Sequence, residues 1–231
     1  RHIVYDGRVQ FPKIDHYVNT EILNRYRRSI LVPMDFERNT VSHHVDIYGD
    51  YDKNKYKTIW KNRWNPYTDA PIVNVAELYY ITRRLVNCDQ SRYDALLEVL
   101  KKHDRAIIFY NFDPELNGLL GLDYGDKIIA QYNGHKHESI PSGDKWVYLV
   151  QYASCEGWNC TKTDTIIFFS QNYSYKITEQ ARGRIDRMNT PYKDLFYYHL
   201  KSRSPIDIRI AKCLKEKKDF NEMTDYRSYA K

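Results

Sequence analysis

Gln180, Arg184 and Arg187 are the residues whose types and spacing speak most directly of chemistry. On a helix of 3.6 residues per turn they fall at i, i+4 and i+7 and share one face, from which Arg182 points away. Two guanidiniums and a carboxamide, with no carboxylate among them, suit an anionic guest such as phosphate. Asp186 is spaced to pair with Arg182, off that face. Gly183 inside the helix costs about 1 kcal/mol against alanine, which predicts that something packs closely against it. A solvated basic face is the alternative, and it requires neither the glycine nor the spacing.

The elements that must position these side chains alternate regularly from Ser91 onward. "SRYDALLEVLKKH" puts Tyr93, Leu96, Leu97 and Leu100 on one helical face. "AIIFYNF", "KIIAQY", "WVYLVQY", "DTIIFFS" and "DLFYYHL" read as short apolar strands, with "PELNGLLG", "SYKITEQARGRIDRM" and "SPIDIRIAKCLKEKK" as helices between and after them. Ser204 is placed as an N-cap with Pro205 at the first helical position. Nearly continuous apolar strands alternating with helices predict an α/β fold with a parallel sheet buried on both faces. In such sheets ligands gather outside the carboxyl ends of the strands, so the loops after "AIIFYNF", "WVYLVQY" and "DTIIFFS" are the expected site.

Upstream the texture differs. "HYVNTEILNRYRRSI", "DKNKYKTIWKNRW" and "IVNVAELYYITRRLV" have helical spacing, "TVSHHVDIYG" alternates like a strand, and "NPYTDAP" is turn chemistry. Residues 1–88 therefore read as a mostly helical attachment, 89–222 as the α/β domain and 223–231 as a polar tail.

Composition limits the function classes without choosing one. The net charge of +6 permits a polyanionic partner but does not require one. The 22 tyrosines carry little weight, because AT-rich coding produces them as readily as base stacking does. Four cysteines, Cys88, Cys155, Cys160 and Cys213, form no CxxC pair, which suits a reduced, cytoplasmic protein. No apolar run approaches the ~20 residues of a membrane span. A chain that starts at Arg1 and not at Met suggests an excised or processed piece.

With the strands in place, "QARGRIDR" resembles the Q-x-x-G-R-x-x-R motif VI of superfamily 2 helicases and translocases, nearest to the Snf2-like group and its phage-type members. "AIIFYNF" resembles motif IV, "QYNGH" the strand-turn after it, "QYASCEGWN" motif V, and "TDTIIFFSQNYS" the lead into motif VI. The closing helix "SPIDIRIAKCLKEKKDFNE" is similar to that of phage Snf2-like proteins. The resemblance covers residues 88–222 well and the first 88 loosely. It implies a RecA-like C-terminal lobe of an ATP-dependent DNA motor, with ATP in the cleft between two lobes.

On that resemblance Arg187 is the arginine finger, Arg184 a second phosphate contact and Gln180 a polar partner in the cleft. Glu156, Gly157 and Asn159 lie near the nucleotide, and Tyr152, Ser154 and Asn133 near DNA. No G-x-x-x-x-G-K-[ST] and no Asp-Glu dipeptide occurs, so the P-loop and the Walker B acid of such motors are missing. ATP and Mg are then held mainly by an N-terminal lobe not in this sequence, and the chain alone is expected to be inactive. Gln151 stands where many helicases carry threonine or serine, which leaves the DNA contact there open.

Two further clusters have chemistry-bearing residue types. His135, His137 and Glu138 in "GHKHE", and His43-His44, invite a metal, yet no other ligands are spaced to complete tetrahedral coordination; a polar loop accounts for them. "KNKYKTIWKNRW" suits phosphate contacts with base stacking, and equally an amphipathic helix packing Tyr56, Ile59, Trp60 and Trp64 with its lysines in water. A non-catalytic nucleic-acid-binding or interaction domain with the same fold is the rival reading. The motor subunit of a restriction system shares the lobe.

Overall fold

The structure is a computed structural model that describes residues 2–4, 13–16, 18–30 and 40–229. Two compact units divide between Arg38 and Asn39. The first contains the antiparallel pair β1 (His2–Val4) and β2 (Lys13–His16), followed by helix α1 (Thr20–Ile30). Ile22, Leu23, Tyr26 and Ile30 of α1 are exposed.

The second unit opens with β3 (Val41–Gly49), α2 (Lys53–Asn62), the two-residue strands β4 (Trp64–Asn65) and β5 (Ala70–Pro71), and α3 (Val75–Asn87). It continues with α4 (Gln90–Leu100), β6 (Arg105–Tyr110), α5 (Asp113–Leu120), β7 (Ile128–Tyr132) and β8 (Trp146–Gln151). A 3-10 turn (Tyr152–Ser154), β9 (Thr165–Phe168), α6 (Tyr175–Arg182), β10 (Asp194–Ser202), α7 (Pro205–Lys215) and α8 (Glu222–Tyr229) complete it. Six strands form one sheet in the order β3-β10-β9-β6-β8-β7, every neighbouring pair parallel. This is the expected α/β architecture.

Alternation along the strands sorts their side chains into two cores. Ile107, Phe109, Tyr148, Val150, Ile166, Phe168, Leu195 and Tyr197 pack with Ala181 and Ile185 from and just beyond α6. On the opposite face Ile108, Tyr110, Val147, Leu149, Ile167 and Phe169 meet Tyr93 and Leu96 of α4 and Leu119 of α5. A third core joins Tyr56, Ile59, Leu78, Tyr79 and Ile81 to Ile206, Ile210 and Phe220.

These cores redraw the expected boundaries. "TVSHHVDIYG" is not part of a helical attachment: β3 pairs with β10 along nine residues, from Val41 opposite Asp194 to Gly49 opposite Ser202. Helices α2 and α3 share a core with α7, so the division near residue 88 is replaced by one at 38/39. Residues 223–231 were expected as a polar tail, yet 222–229 form α8. Asp225 there accepts from Tyr79 Oη at 2.5 Å and pairs with Arg209 at 2.8 Å, and Tyr226 accepts from Arg63 at 3.1 Å. In α2, Tyr56 and Ile59 are buried while Trp64, past its end, is exposed. That helix spends its apolar face on packing.

One buried ion pair locks α4 to the start of α7. Arg92 donates to Asp207 at 2.7 Å and to the carbonyls of Phe169 and Leu200 at 2.9 Å. Asp207 also accepts from the Ser202 amide and hydroxyl, and Ser204 caps α7 as expected. Both partners are almost fully buried, and this set of bonds compensates the two charges inside the protein.

Candidate functional site

Helix α6 ends earlier than the sequence predicts. Its last residue is Arg182, and Gly183 is the C-cap, with φ −68° and its amide bonded to the Glu179 carbonyl at 3.0 Å. Arg184 and Arg187 therefore lie in the turn beyond the helix, and the shared helical face of Gln180, Arg184 and Arg187 is not formed. Arg182 pairs with Glu179 at 2.7 Å rather than with Asp186, which accepts from Thr40 at 3.3 Å. A methyl at Gly183 would meet the Glu179 and Gln180 carbonyls at 3.5 and 3.6 Å, ordinary contact distances. The glycine ends a helix; nothing packs into its place.

The turn also sits away from the expected strand ends. Because β9 and β10 are adjacent and parallel, the chain between them must run back to the start of the sheet. Asp186 bonds Thr40, which immediately precedes β3, so the arginine turn lies toward the amino ends of the strands.

What the structure does bring together is this turn and the 156–160 segment. Arg184 Nε donates to the Gln180 carbonyl at 3.1 Å, and its Nη1 reaches the Trp158 carbonyl at 2.5 Å and Asn159 Oδ1 at 3.5 Å. In return the Cys160 amide donates to the Arg184 carbonyl at 2.9 Å. The Arg184 guanidinium lies 5.9 Å from the Trp158 ring. That indole donates to the Ser154 carbonyl at 3.1 Å and packs on Phe109, Tyr132 and Tyr148. Gly157 takes φ +85°, a left-handed backbone that a side chain would strain. Glu156, Gly157 and Asn159 are exposed.

Arg187 is differently placed. No ion pair joins it to a carboxylate among the described residues, and its Nε is buried without a hydrogen-bond partner. Gln180 Oε1 and Thr190 Oγ1 are buried and unpartnered as well. Burial, and then the nearby Arg187 cation, lower the pKa of Arg184. Two guanidiniums held close enough to repel one another are stabilised by an anion.

Two residues expected at nucleic acid are instead internal. Tyr152 is 2 % exposed, donates to the Ser170 carbonyl at 3.1 Å, and burial pushes its phenol far up. Asn133 is 3 % exposed and accepts from the His135 and Lys136 amides at 2.9 Å, holding a turn. Neither offers a polar atom to a strand of DNA in this conformation. Ser154 is half-buried and reachable. Gln151 bonds the Asn111 carbonyl at 3.2 Å.

Among the described residues no group of three or more His, Cys, Asp or Glu could hold a metal ion. His137 stacks on Tyr132, and Glu138 accepts from the Gln131 amide at 2.6 Å, so the "GHKHE" cluster is a strand-turn. His43 bonds Asp194 at 2.7 Å, and His44 Nδ1 bonds His199 Nε2 at 3.1 Å across β3 and β10. The sequence alone does not pair these imidazoles, because strand neighbours follow from sheet order. A cavity of ≈ 540 Å³ lies beside it, lined by Asp46, Glu179, His199, Lys201 and Lys212 among others; neither Arg184 nor Arg187 lines it. No described helix is long and apolar enough to cross a membrane.

No protein-family model matches the sequence, and no curated protein does. Among solved structures, the crystal structure of the C-terminal part of the Fun30 ATPase domain is 20% identical, over 57% of this chain and 46% of that one, with a TM-score of 0.49. The Sulfolobus solfataricus SWI2/SNF2 ATPase core in complex with dsDNA is 14% identical, over 76% of this chain and 44% of that one, with a TM-score of 0.53. The chain thus spans less than half the length of either. At such identities the likeness is one of fold, and the parallel six-stranded sheet with its flanking helices is a RecA-like α/β fold, shared with the SWI2/SNF2 ATPase core.

Proposed function

We propose that this chain is the second, C-terminal motor lobe of an ATP-dependent DNA translocase or helicase of Snf2-like type, and that Arg187 is its arginine finger. The observation that carries the reading is the state of Arg187: a half-buried guanidinium with an orphaned Nε, no acidic partner among the described residues, and a second arginine beside it. Such a group is costly to hold unless an anion completes it. The unpartnered Gln180 Oε1 and Thr190 Oγ1 add polar atoms on the same segment.

The phosphates of ATP fit these residues. ATP supplies the phosphoryl group whose developing charge a guanidinium stabilises, and Arg187 would hold that end of it. Among the described residues no acidic cluster fits Mg, so none of them is given a role toward the metal. The nucleotide's main seat, the metal, and a first RecA-like lobe belong to a polypeptide longer than this sequence, and the chain alone would not turn over ATP. DNA is the proposed polyanion, supported by the RecA-like fold, the net charge of +6 and the "QARGRIDR" motif. Ser154 is the remaining candidate contact from the expected set.

The test is DNA-stimulated ATP hydrolysis by the complete polypeptide carrying this lobe, with and without Arg187→Ala. A fall of roughly 10³-fold or more with DNA binding retained is expected for an arginine finger. Turnover unchanged in the variant would remove Arg187 from the chemistry, and a non-catalytic DNA-binding or interaction domain would become the better account.

A further inference from the structure

Arg184 and Arg187 have the same residue type and are three positions apart, yet their surroundings are opposite. Arg184 spends Nε on the Gln180 carbonyl and Nη1 on the Trp158 carbonyl, with Asn159 Oδ1 at the edge of reach. Its own carbonyl receives the Cys160 amide. Three consecutive residues of the segment, Trp158 to Cys160, are thus tied to one arginine. No regular element spans residues 155–164, and Glu156, Gly157 and Asn159 are exposed; further along, Arg105 and Tyr192 bond the Lys162 carbonyl. Its apolar anchors are the buried Cys155 and Cys160 and, between them, Trp158, seated among Phe109, Tyr132 and Tyr148.

We infer that Arg184 is a positioning residue that braces the Trp158–Cys160 segment against the end of α6, and that it is not a second phosphate ligand. This rests on the phosphate reading of Arg187 only for the contrast between the two arginines. The brace itself stands on the bonds just described. A guanidinium suits the task because its planar fork meets two carbonyls at once, which a lysine ammonium on a flexible stem does less well. A charged donor to a carbonyl is also among the stronger hydrogen bonds available.

The experiment uses the 231-residue chain and reads two things in each of wild type, Arg184→Ala, Arg184→Lys and Arg187→Ala. The first is hydrogen exchange of the Cys160 amide and the Trp158 indole N–H by NMR, with the Ile108 amide of β6 as an internal reference for global stability. The second is binding of inorganic triphosphate by calorimetry. Arg184→Ala is expected to speed exchange at Cys160 and Trp158 by about 10-fold or more while Ile108 is unmoved. Arg184→Lys should fall between, and Arg187→Ala should leave exchange alone while weakening triphosphate. Exchange unchanged in Arg184→Ala, or accelerated equally at Ile108, overturns the brace. Triphosphate binding lost as fully in Arg184→Ala as in Arg187→Ala, with exchange unmoved, restores Arg184 as a phosphate contact. If wild type binds no triphosphate, the phosphate reading of this chain loses its support, and the exchange data still decide the brace.

Discussion

At the scale of single residues, the same side chain acquires its role from what it can reach. His199 is such a residue. Burial, reinforced by the Lys201 cation and His44 and only partly opposed by Asp46, brings it from 6.5 down to about 4. The folded protein keeps this imidazole neutral, bonded to His44 and stacked on Phe168. An unfolded chain takes up that proton near pH 6.5. Between 6.5 and 4 the unfolded state therefore binds more protons, and stability falls as pH falls. The loss from this one group approaches roughly 3 kcal/mol at pH 4. Urea unfolding at pH 7 and pH 4.5 should show a smaller acid-induced drop in His199→Gln than in the wild type, and an equal drop would remove His199 as the cause. Two glycines make a second contrast. Gly157→Ala is expected to lose about 1–2 kcal/mol from its left-handed backbone, whereas Gly183→Ala should stay within about 0.5 kcal/mol. Thermal denaturation of both variants distinguishes them.

At the scale of elements, the fold depends on a few polar junctions as much as on apolar faces. Arg92 and Asp207 join α4, the ends of β9 and β10, and the first turn of α7. Removing one partner strands the other charge in the interior. Arg92→Ala is accordingly expected to cost about 3–5 kcal/mol in denaturant unfolding, far more than truncation of an exposed pair such as Lys101–Glu98. Similar costs for the two would mean that water reaches the Arg92 site. The β8–β9 crossover belongs to the same scale. In place of a full helix it has a 3-10 turn and an extended segment, whose Trp158 fills the sheet face beside α6. The arginine turn and this segment share one side of the sheet for that reason.

At the scale of the whole molecule, the third core makes residues 40–88 inseparable from the sheet. Leu78, Tyr79 and Ile81 of α3 pack against Ile206 and Ile210 of α7, and β3 supplies an edge strand to β10. A fragment of residues 39–231 should unfold in one cooperative transition, because each of its cores is complete. A fragment starting at residue 89 exposes the apolar faces of α7 and β10 and should be insoluble or unfolded. Circular dichroism and analytical ultracentrifugation of the two fragments check this, and a soluble, folded 89–231 fragment would contradict the packing described.

The sequence by itself determined the parallel α/β architecture, since apolar runs of strand length alternating with helical periodicity have few other ways to bury both faces. It also determined the arginine-rich motif that follows β9 and the Ser204–Pro205 start of α7, because caps and spacing are local. It did not determine where β3 goes, since a strand alternating polar and apolar residues can be an edge of any sheet until its partner is known. Nor could it end α6 at Arg182: Gly183 suits a helix interior at a cost or a C-cap at none, and only the return of the chain toward β10 selects the latter. Tyr152 and Asn133 look like binding residues in a list of motifs, yet packing turned both inward. The difference between Arg184 and Arg187 was likewise settled in three dimensions, where one guanidinium meets the carbonyls of a distant segment and the other meets none.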